Sequence, residues 1–291
     1  MTVEPYIPQT PLGQWNGGQV NEWVTCVRAG NPGHMTLDGT NTWIVSRPGS
    51  DRAMIVDPGP ADEAHWLAVA AALEAVDVNP ATGVEAILIT HHHSDHTEAI
   101  ELFAQQTSAP VYALTLEYCR DKGVIAFADG SNQSEMSLAD LELVLVAAPG
   151  HTRDSIAIMI PEAKIIFSGD TILGRGTTVV AYPDGNLAQY LDSLARIREL
   201  VVDNELSQIL PGHGPTIDRP LQAIDFYLSH RQDRLTQVDQ CLTELGTTPD
   251  VDEELALRIV EIVYSDVPQH LWPPATLSVL AQLEYLKTTK A

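Results

Sequence analysis

Seven residues, Thr90 to His96, read THHHSDH and set four histidines and one aspartate side by side. They follow VEAILI, an apolar run that reads as a buried strand, so the polar cluster starts where a strand gives way to a loop. Imidazole and carboxylate are the side chains that divalent zinc, iron and manganese accept as ligands. His91, His93, Asp95 and His96 form the pattern HxHxDH, which lets several donors project around one point. One metal needs three or four protein ligands, and the chain offers more. His151 in AAPGHTRDS, Asp170 in IIFSGDTILG and His213 in ILPGHGP each follow a β-type run and sit beside a glycine. Functional side chains gather in such loops at sheet ends. The five histidines and two aspartates suffice for two divalent metals sharing a bridging carboxylate. His92 lies between two ligands and is read as facing away. His34, His65, His230 and His270 belong to no motif and are read as ordinary surface or core residues.

Two cations a few Å apart lower the pKa of a bridging water toward neutrality and yield a hydroxide nucleophile. Asp95 and Asp170 would orient that hydroxide while a metal polarises the oxygen under attack. Esters, thioesters and phosphodiesters all yield to this chemistry, so the ligand set specifies a hydrolase and leaves the substrate open. The substrate pocket is expected from two polar, glycine-containing segments, GTNTW (39–43) and GRGTTVV (174–180). Asn41, Arg175, Thr177 and Thr178 are candidate donors to an oxyanion or phosphate, with ordinary turn roles an equal alternative. Arg153, two residues after His151, is a further anion contact of the same weight.

These residues need a sheet to hold them. TWIVS (42–46), AMIVD (53–57), VEAILIT (84–90), PVYAL (110–114), LELVLVAA (141–148), SIAIMI (155–160), KIIFSGD (164–170) and SQILPGHG (207–214) read as strands or strand ends. ADEAHWLAVAAALEAV (61–76) has an acidic first turn and reads as a helix, as does EAIELFAQQ after the histidine cluster. Leu187, Tyr190, Leu191, Leu194, Ile197 and Val201 recur at helical spacing. From Pro220 the texture changes to helices without strands: one through Leu235, Val238, Leu242 and Leu245, then DEELALRIVEIV and ATLSVLAQLEYL. The predicted organisation is an α/β catalytic domain over 1–219 and a helical C-terminal domain over 220–291.

Composition narrows the function. The 291 residues carry a net charge of -23, from 39 acidic and 16 basic residues, so the mean field repels nucleic acid and anionic membranes. No apolar run approaches a membrane span, and the first residues show neither a basic n-region nor an apolar h-region. Cys26, Cys119 and Cys241 are odd in number, far apart and without a CxxC, which fits a reducing compartment and argues against a disulfide framework and a cysteine zinc site. A cytoplasmic protein is expected.

HxHxDH followed in order by single His, Asp and His residues resembles the metallo-β-lactamase superfamily over about residues 20–220. The resemblance implies a four-layer αββα sandwich with metals at one edge. It implies that His91, His93 and His151 hold one metal, that Asp95, His96 and His213 hold the other, and that Asp170 bridges them, zinc being favoured over iron or manganese. Aspartate at position 170 is similar to the glyoxalase II and nuclease branches rather than to secreted antibiotic hydrolases. NPGHMTLDGTNTWIV, PGHTRDS, FSGDTILGRGTTVV, LPGHGP and YLSHRQDRL resemble the β-lactamase-like protein 2 family over nearly the whole chain. That family has a C-terminal winged-helix-like domain and a member that cuts single-stranded RNA. The resemblance therefore implies RNA phosphodiester cleavage, with a glyoxalase II-like thioester or ester hydrolase as the alternative. A non-catalytic module binding through the helical tail is a reading of another class, disfavoured because no ligand is missing.

Two departures bear on this choice. Glu98-Ala99 follows Thr97 where Gly-Gly or Gly-Ala is common, and it brings another carboxylate close to the metals. Residues 221–291 carry eleven acidic residues against five Lys and Arg, and ATLSVLAQLEYLK has one basic residue, Lys287. Such a helix suits packing or homodimerisation, not a duplex DNA groove.

Overall fold

The computed structural model describes residues 13–290 apart from 122, 129, 130 and 266. Among the described residues, eleven strands form two sheets. The first takes β1 (Gly17–Gln19), β2 (Val24–Arg28), β3 (Asn41–Val45), β4 (Ala53–Val56), β5 (Val84–Leu88) and β6 (Val111–Tyr112), in chain order. The second runs β11 (Gln208–Pro211), β10 (Ile165–Gly169), β9 (Ile156–Ile160), β8 (Leu141–Ala147) and β7 (Gln133–Leu138). Helices α1 (Glu63–Glu74), α2 (Ser94–Thr97) and α3 (Ile100–Thr107) interrupt the first sheet, and α4 (Leu187–Asp203) connects β10 to β11. Then come α5 (Pro220–Leu245), α6 (Glu253–Val263) and α7 (Trp272–Thr289).

The central strands are buried along their whole length, and their side chains alternate between two cores, as a two-residue period requires. Trp43, Val45, Met54, Val56 and Leu88 face Leu143, Leu145, Ile158, Phe167 and Leu210 between the sheets. Trp43 meets Phe167 edge-on there, at 5.9 Å between ring centres. The intervening residues Ile44, Ile55 and Ile87 turn outward to Val69 and Leu73 of α1 and Phe103 of α3. On the far side Ala157, Met159, Ile166 and Ile209 meet Tyr190, Leu194 and Ile197 of α4. Helix, sheet, sheet, helix: the expected αββα sandwich is the observed one.

Helix ends obey local chemistry. Asp62, Asn186 and Asp252 cap α1, α4 and α6, each accepting a backbone N–H of the first turn. Pro220 opens α5, and Gly246 ends it in the left-handed region. Three strands escaped the sequence reading. β1 has only three residues, β2 (VTCVR) ends in a charged residue and is buried at only two of its five positions, and β7 is an edge strand whose alternate residues are exposed, so QSEMSL lacks a hydrophobic signal. Helices α5 to α7 contribute Tyr227, Leu235, Val238, Ile259, Val279 and Leu283 to the same core as the outer face of the second sheet. Among the described residues from 220 onward there is no strand, and no described helix is long and apolar enough to cross a membrane.

Candidate metal centre

Four strands end at one place. His91 and His93 follow β5, with Asp95 and His96 on α2; His151 follows β8, Asp170 follows β10, and His213 follows β11. Their side chains converge as three groups able to hold a metal: His91, His93 and His151; His91, His96 and Asp170; and Asp95, His96 and His213. His93 Nδ1 lies 3.0 Å from His91 Nε2 and 3.1 Å from His151 Nε2. His213 Nε2 lies 3.3 Å from His96 Nε2 and 3.1 Å from Asp95 Oδ2. Asp170 Oδ2 stands 3.3 Å from His213 Nε2 and 3.8 Å from His151 Nε2, between the two histidine groups. Tetrahedral ligands at about 2.0–2.1 Å from zinc are about 3.3 Å from one another, so these spacings fit shared cations.

The outer nitrogens settle which ring atom is free. His96 Nδ1 donates to Asp57 Oδ2 (2.9 Å). Thr90 spends its hydroxyl proton on that same oxygen (2.7 Å), so it accepts from His91 Nδ1 at 3.0 Å. His151 Nδ1 donates to the Val179 carbonyl (2.9 Å), and His213 Nδ1 to that of Gly39 (3.2 Å). Each of these four imidazoles therefore turns an unprotonated Nε2 inward when neutral, the arrangement metal-ligating histidines adopt.

Two observations test whether a divalent cation fits. Asp170 Oδ1 is buried without a hydrogen-bond partner, and a carboxylate oxygen stripped of water in that way needs a positive partner. Gly212 packs so closely that an added Cβ would lie 2.3 Å from Asp170 Oδ1 and 2.8 Å from His96 Cε1, which keeps both donors directed at the centre. Charge balance in the metal-free protein agrees. Burial pulls His91 well below its usual range and brings His93 down to about 4. Burial acts against ionised Asp95 and Asp170 too, but His213 and His96 outweigh it and hold both carboxylates low. Against the same penalty of burial, Asp170 raises His213 to about 9, and Asp57 with Asp170 raises His96 well above 6.5. Without metal, two protons take the place of cationic charge. The residues fit divalent metal.

With that geometry in place, the comparison with known proteins is direct. Residues 35–213 match the Metallo-beta-lactamase superfamily, and residues 256–289 match the Beta-lactamase associated winged helix domain. The chain belongs to the metallo-beta-lactamase superfamily. It is 31% identical to a Beta-lactamase-like protein 2 homolog of Caenorhabditis elegans, over 86% of this chain and 79% of that one. It is 32% identical to an Atrochrysone carboxyl ACP thioesterase of Aspergillus fumigatus, over 74% of this chain and 63% of that one. A Beta-lactamase domain protein from Burkholderia ambifaria superposes with a TM-score of 0.72 at 22% identity, covering 97% and 91% of the two chains. A metal-dependent hydrolase follows from this membership, and the winged-helix match falls on α6 and α7.

The residues expected to contact substrate separate into two sets. Asn41 is fully buried: its Nδ2 donates to the carbonyls of Pro211 (2.9 Å) and Gly214 (2.8 Å), and its Oδ1 accepts from Trp15 Nε1 (2.8 Å). Its amide is spent joining β3 to the His213 loop, which corrects the expectation of a donor to substrate. Thr178 is corrected for the same reason, since it is buried and its hydroxyl donates to the Asp170 carbonyl at 2.7 Å. Arg175 pairs with Asp38 at 3.0 Å, Thr177 is half-buried, and Arg153 is exposed, 3.7 Å from Asp184.

Other functional positions escaped the sequence reading. Asp57 and Thr90 orient two histidines, and Thr40 donates to Asp95 Oδ2 at 3.3 Å. Asp57 had a signal, for it ends an apolar run just as Asp170 does. His92 leaves the metal groups and bonds through Nδ1 to Asp154 (2.7 Å), which also accepts from Thr115 (2.6 Å) and Thr152 (2.9 Å).

Proposed function

We propose that this protein is a dinuclear metal-dependent hydrolase of a small thioester or ester. The observation that carries the dinuclear reading is Asp170, whose carboxylate stands between two groups of converging imidazole nitrogens and has one buried oxygen without a hydrogen-bond partner. In this reading His91, His93 and His151 hold one ion, Asp95, His96 and His213 hold the second, and Asp170 serves both. Zinc suits the nitrogen-rich set. When bound, the ions supply Lewis acidity and make water acidic enough to attack near neutral pH.

The chain's own groups do the rest. Asp57 and the Thr90 hydroxyl keep His96 and His91 in the tautomer that faces inward. Asp95, the more exposed of the two carboxylates, would orient the attacking water. His92, held by Asp154 beside Arg153 and Asp184, forms part of the rim around the scissile group.

Charge favours a thioester or ester over RNA. The chain carries -23, and the two arginines expected to meet an anion each have a carboxylate beside them, Asp38 at Arg175 and Asp184 at Arg153. A bound polyanion would have to displace those carboxylates. The thioesterase named among the relatives supports the same choice. The test is a hydrolase panel on zinc-loaded protein: acyl thioesters such as lactoylglutathione beside end-labelled single-stranded RNA, each also run with Asp95→Ala. Thioester or ester turnover that Asp95→Ala abolishes is expected. RNA cleavage lost in Asp95→Ala, with every thioester and ester untouched, would overturn the substrate assignment.

A further inference from the structure

The segment after β10, residues 170–179, touches proposed ligands of both ions. It carries Asp170 itself. Its Val179 carbonyl accepts from His151 Nδ1 at 2.9 Å, and its Gly174 N–H donates to the His213 carbonyl at 2.9 Å. An added Cβ at Gly174 would fall 2.1 Å from the Pro215 carbonyl, so the segment lies directly on the His213 loop. Any displacement of this segment moves donors in both groups.

Helices hold this segment from behind, and two of the three anchoring side chains come from α5. Tyr227 accepts from the Leu173 N–H at 2.8 Å and is within 3.4 Å of the Leu173 carbonyl. Arg231, one turn further along α5, donates from Nη2 to the Thr178 carbonyl. The third is Tyr190 of α4, which donates to the Thr171 carbonyl at 2.7 Å and lies under the Arg231 guanidinium, 4.9 Å from ring centre to charge. Thr178 closes the bracket through its hydroxyl bond to the Asp170 carbonyl. All three anchors are buried. A buried guanidinium costs stability unless its charge is engaged, and an apolar side chain would fill the same space more cheaply. Packing alone does not explain an arginine here.

We infer that Arg231 and Tyr227 of the C-terminal helical region are positioning residues for the metal centre, acting through residues 170–179. This rests on the metal-dependent reading above. The region then belongs to the catalytic machinery without touching substrate or metal. Removing an outer partner of a metal site weakens metal binding by about ten- to a hundredfold, and bracing the ligand segment is expected to act on the same scale.

The test uses full-length protein in four variants: Arg231→Met, Arg231→Lys, Tyr227→Phe and, as a control, Val238→Ala. Val238 is buried in the same helix but has no place in the bracket. Zinc affinity is measured by competition with a chromophoric chelator, and amide exchange across 171–179 by mass spectrometry on metal-free protein. Arg231→Met and Tyr227→Phe should bind zinc at least about tenfold more weakly and exchange faster in that segment. Arg231→Lys should recover part of both losses because its ammonium can still donate to a carbonyl. Val238→Ala should lower the melting temperature and change neither. Wild-type affinity and wild-type exchange in Arg231→Met would overturn the inference, as would equal losses in Val238→Ala at matched melting temperature. If the wild type takes up no zinc at all, the metal reading fails, and the exchange rates in 171–179 alone decide whether the bracket exists.

Discussion

At the residue scale, the centre depends on groups that never touch a metal. Asp57 takes three bonds at once, from the Thr90 N–H and hydroxyl and from His96 Nδ1, while held at a φ of 55°. Asp57→Ala strips acceptors from buried donors, each worth about 1–3 kcal/mol when left unmet, and frees two histidines to turn. Zinc affinity should fall by about ten- to a hundredfold, with a lower melting temperature even in metal-free protein; calorimetry and chelator competition read the two effects. Titration gives a second prediction, for metal-free protein. His213 has its pKa raised to about 9, so its contribution is fully present below 6.5 and disappears as pH rises through 9. His65 and His230 are lowered to about 4, mainly by burial, so the unfolded chain takes up protons at about 6.5 that the folded chain refuses. Stability therefore falls again from pH 6.5 toward 4, by about 3 kcal/mol for His65 alone. Melting temperatures across pH 4–10 in chelator should show both limbs, and zinc should remove the alkaline one by replacing the protons.

At the element scale, rigid strands carry loops that must converge. The core strands alternate between two apolar faces, and their ends bring together residues more than a hundred positions apart in the chain. Without metal, the loops that carry the two carboxylates and five imidazoles are joined at the centre only by contacts such as His213 with Asp95 and Asp170, whereas the strands behind them are fixed by packing. Removing metal should therefore raise amide exchange in 90–97, 150–154, 170–179 and 212–214, leaving β4, β5, β9 and β10 unchanged. Uniform exchange with and without chelator would contradict this. Patterning made the inner strands legible, because buried apolar runs such as AMIV and IAIMI have few other uses. It missed β7, whose pairing with β8 depends on a neighbour 3–13 residues away and not on its own polar residues.

At the scale of the whole molecule, the division at 219/220 marks a change of texture and not a gap between cores. Tyr190, Leu194 and Ile197 of α4 share one buried cluster with Tyr227, Leu235, Val279 and Leu283 of the C-terminal helices. A chain ending at 219 would expose the surface of α4 that α5 and α7 cover, at about 1.5–3 kcal/mol for each large side chain returned to water. Such a fragment should be insoluble or bind hydrophobic dyes strongly, and adding 220–291 as a separate peptide should not restore it. α7, whose sequence suits packing better than a DNA groove, buries Val279, Leu280, Ala281, Leu283 and Leu286 in the protein itself. That follows from its single basic residue, Lys287, and its apolar length.

What the sequence determined by itself was donor chemistry: HxHxDH, then His151, Asp170 and His213 in order, because ligand types and strand-end positions are local properties of the chain. The partners of the remaining hydrogen bonds depend on the fold. Asn41 and Thr178 look like donors to substrate until their partners at Pro211, Gly214 and Asp170 are seen. Arg231 looks like a surface arginine of a long helix until it is found under the metal loop. A side chain's type sets which bonds it can make, but burial and the neighbours brought in from distant strands decide which bonds it does make.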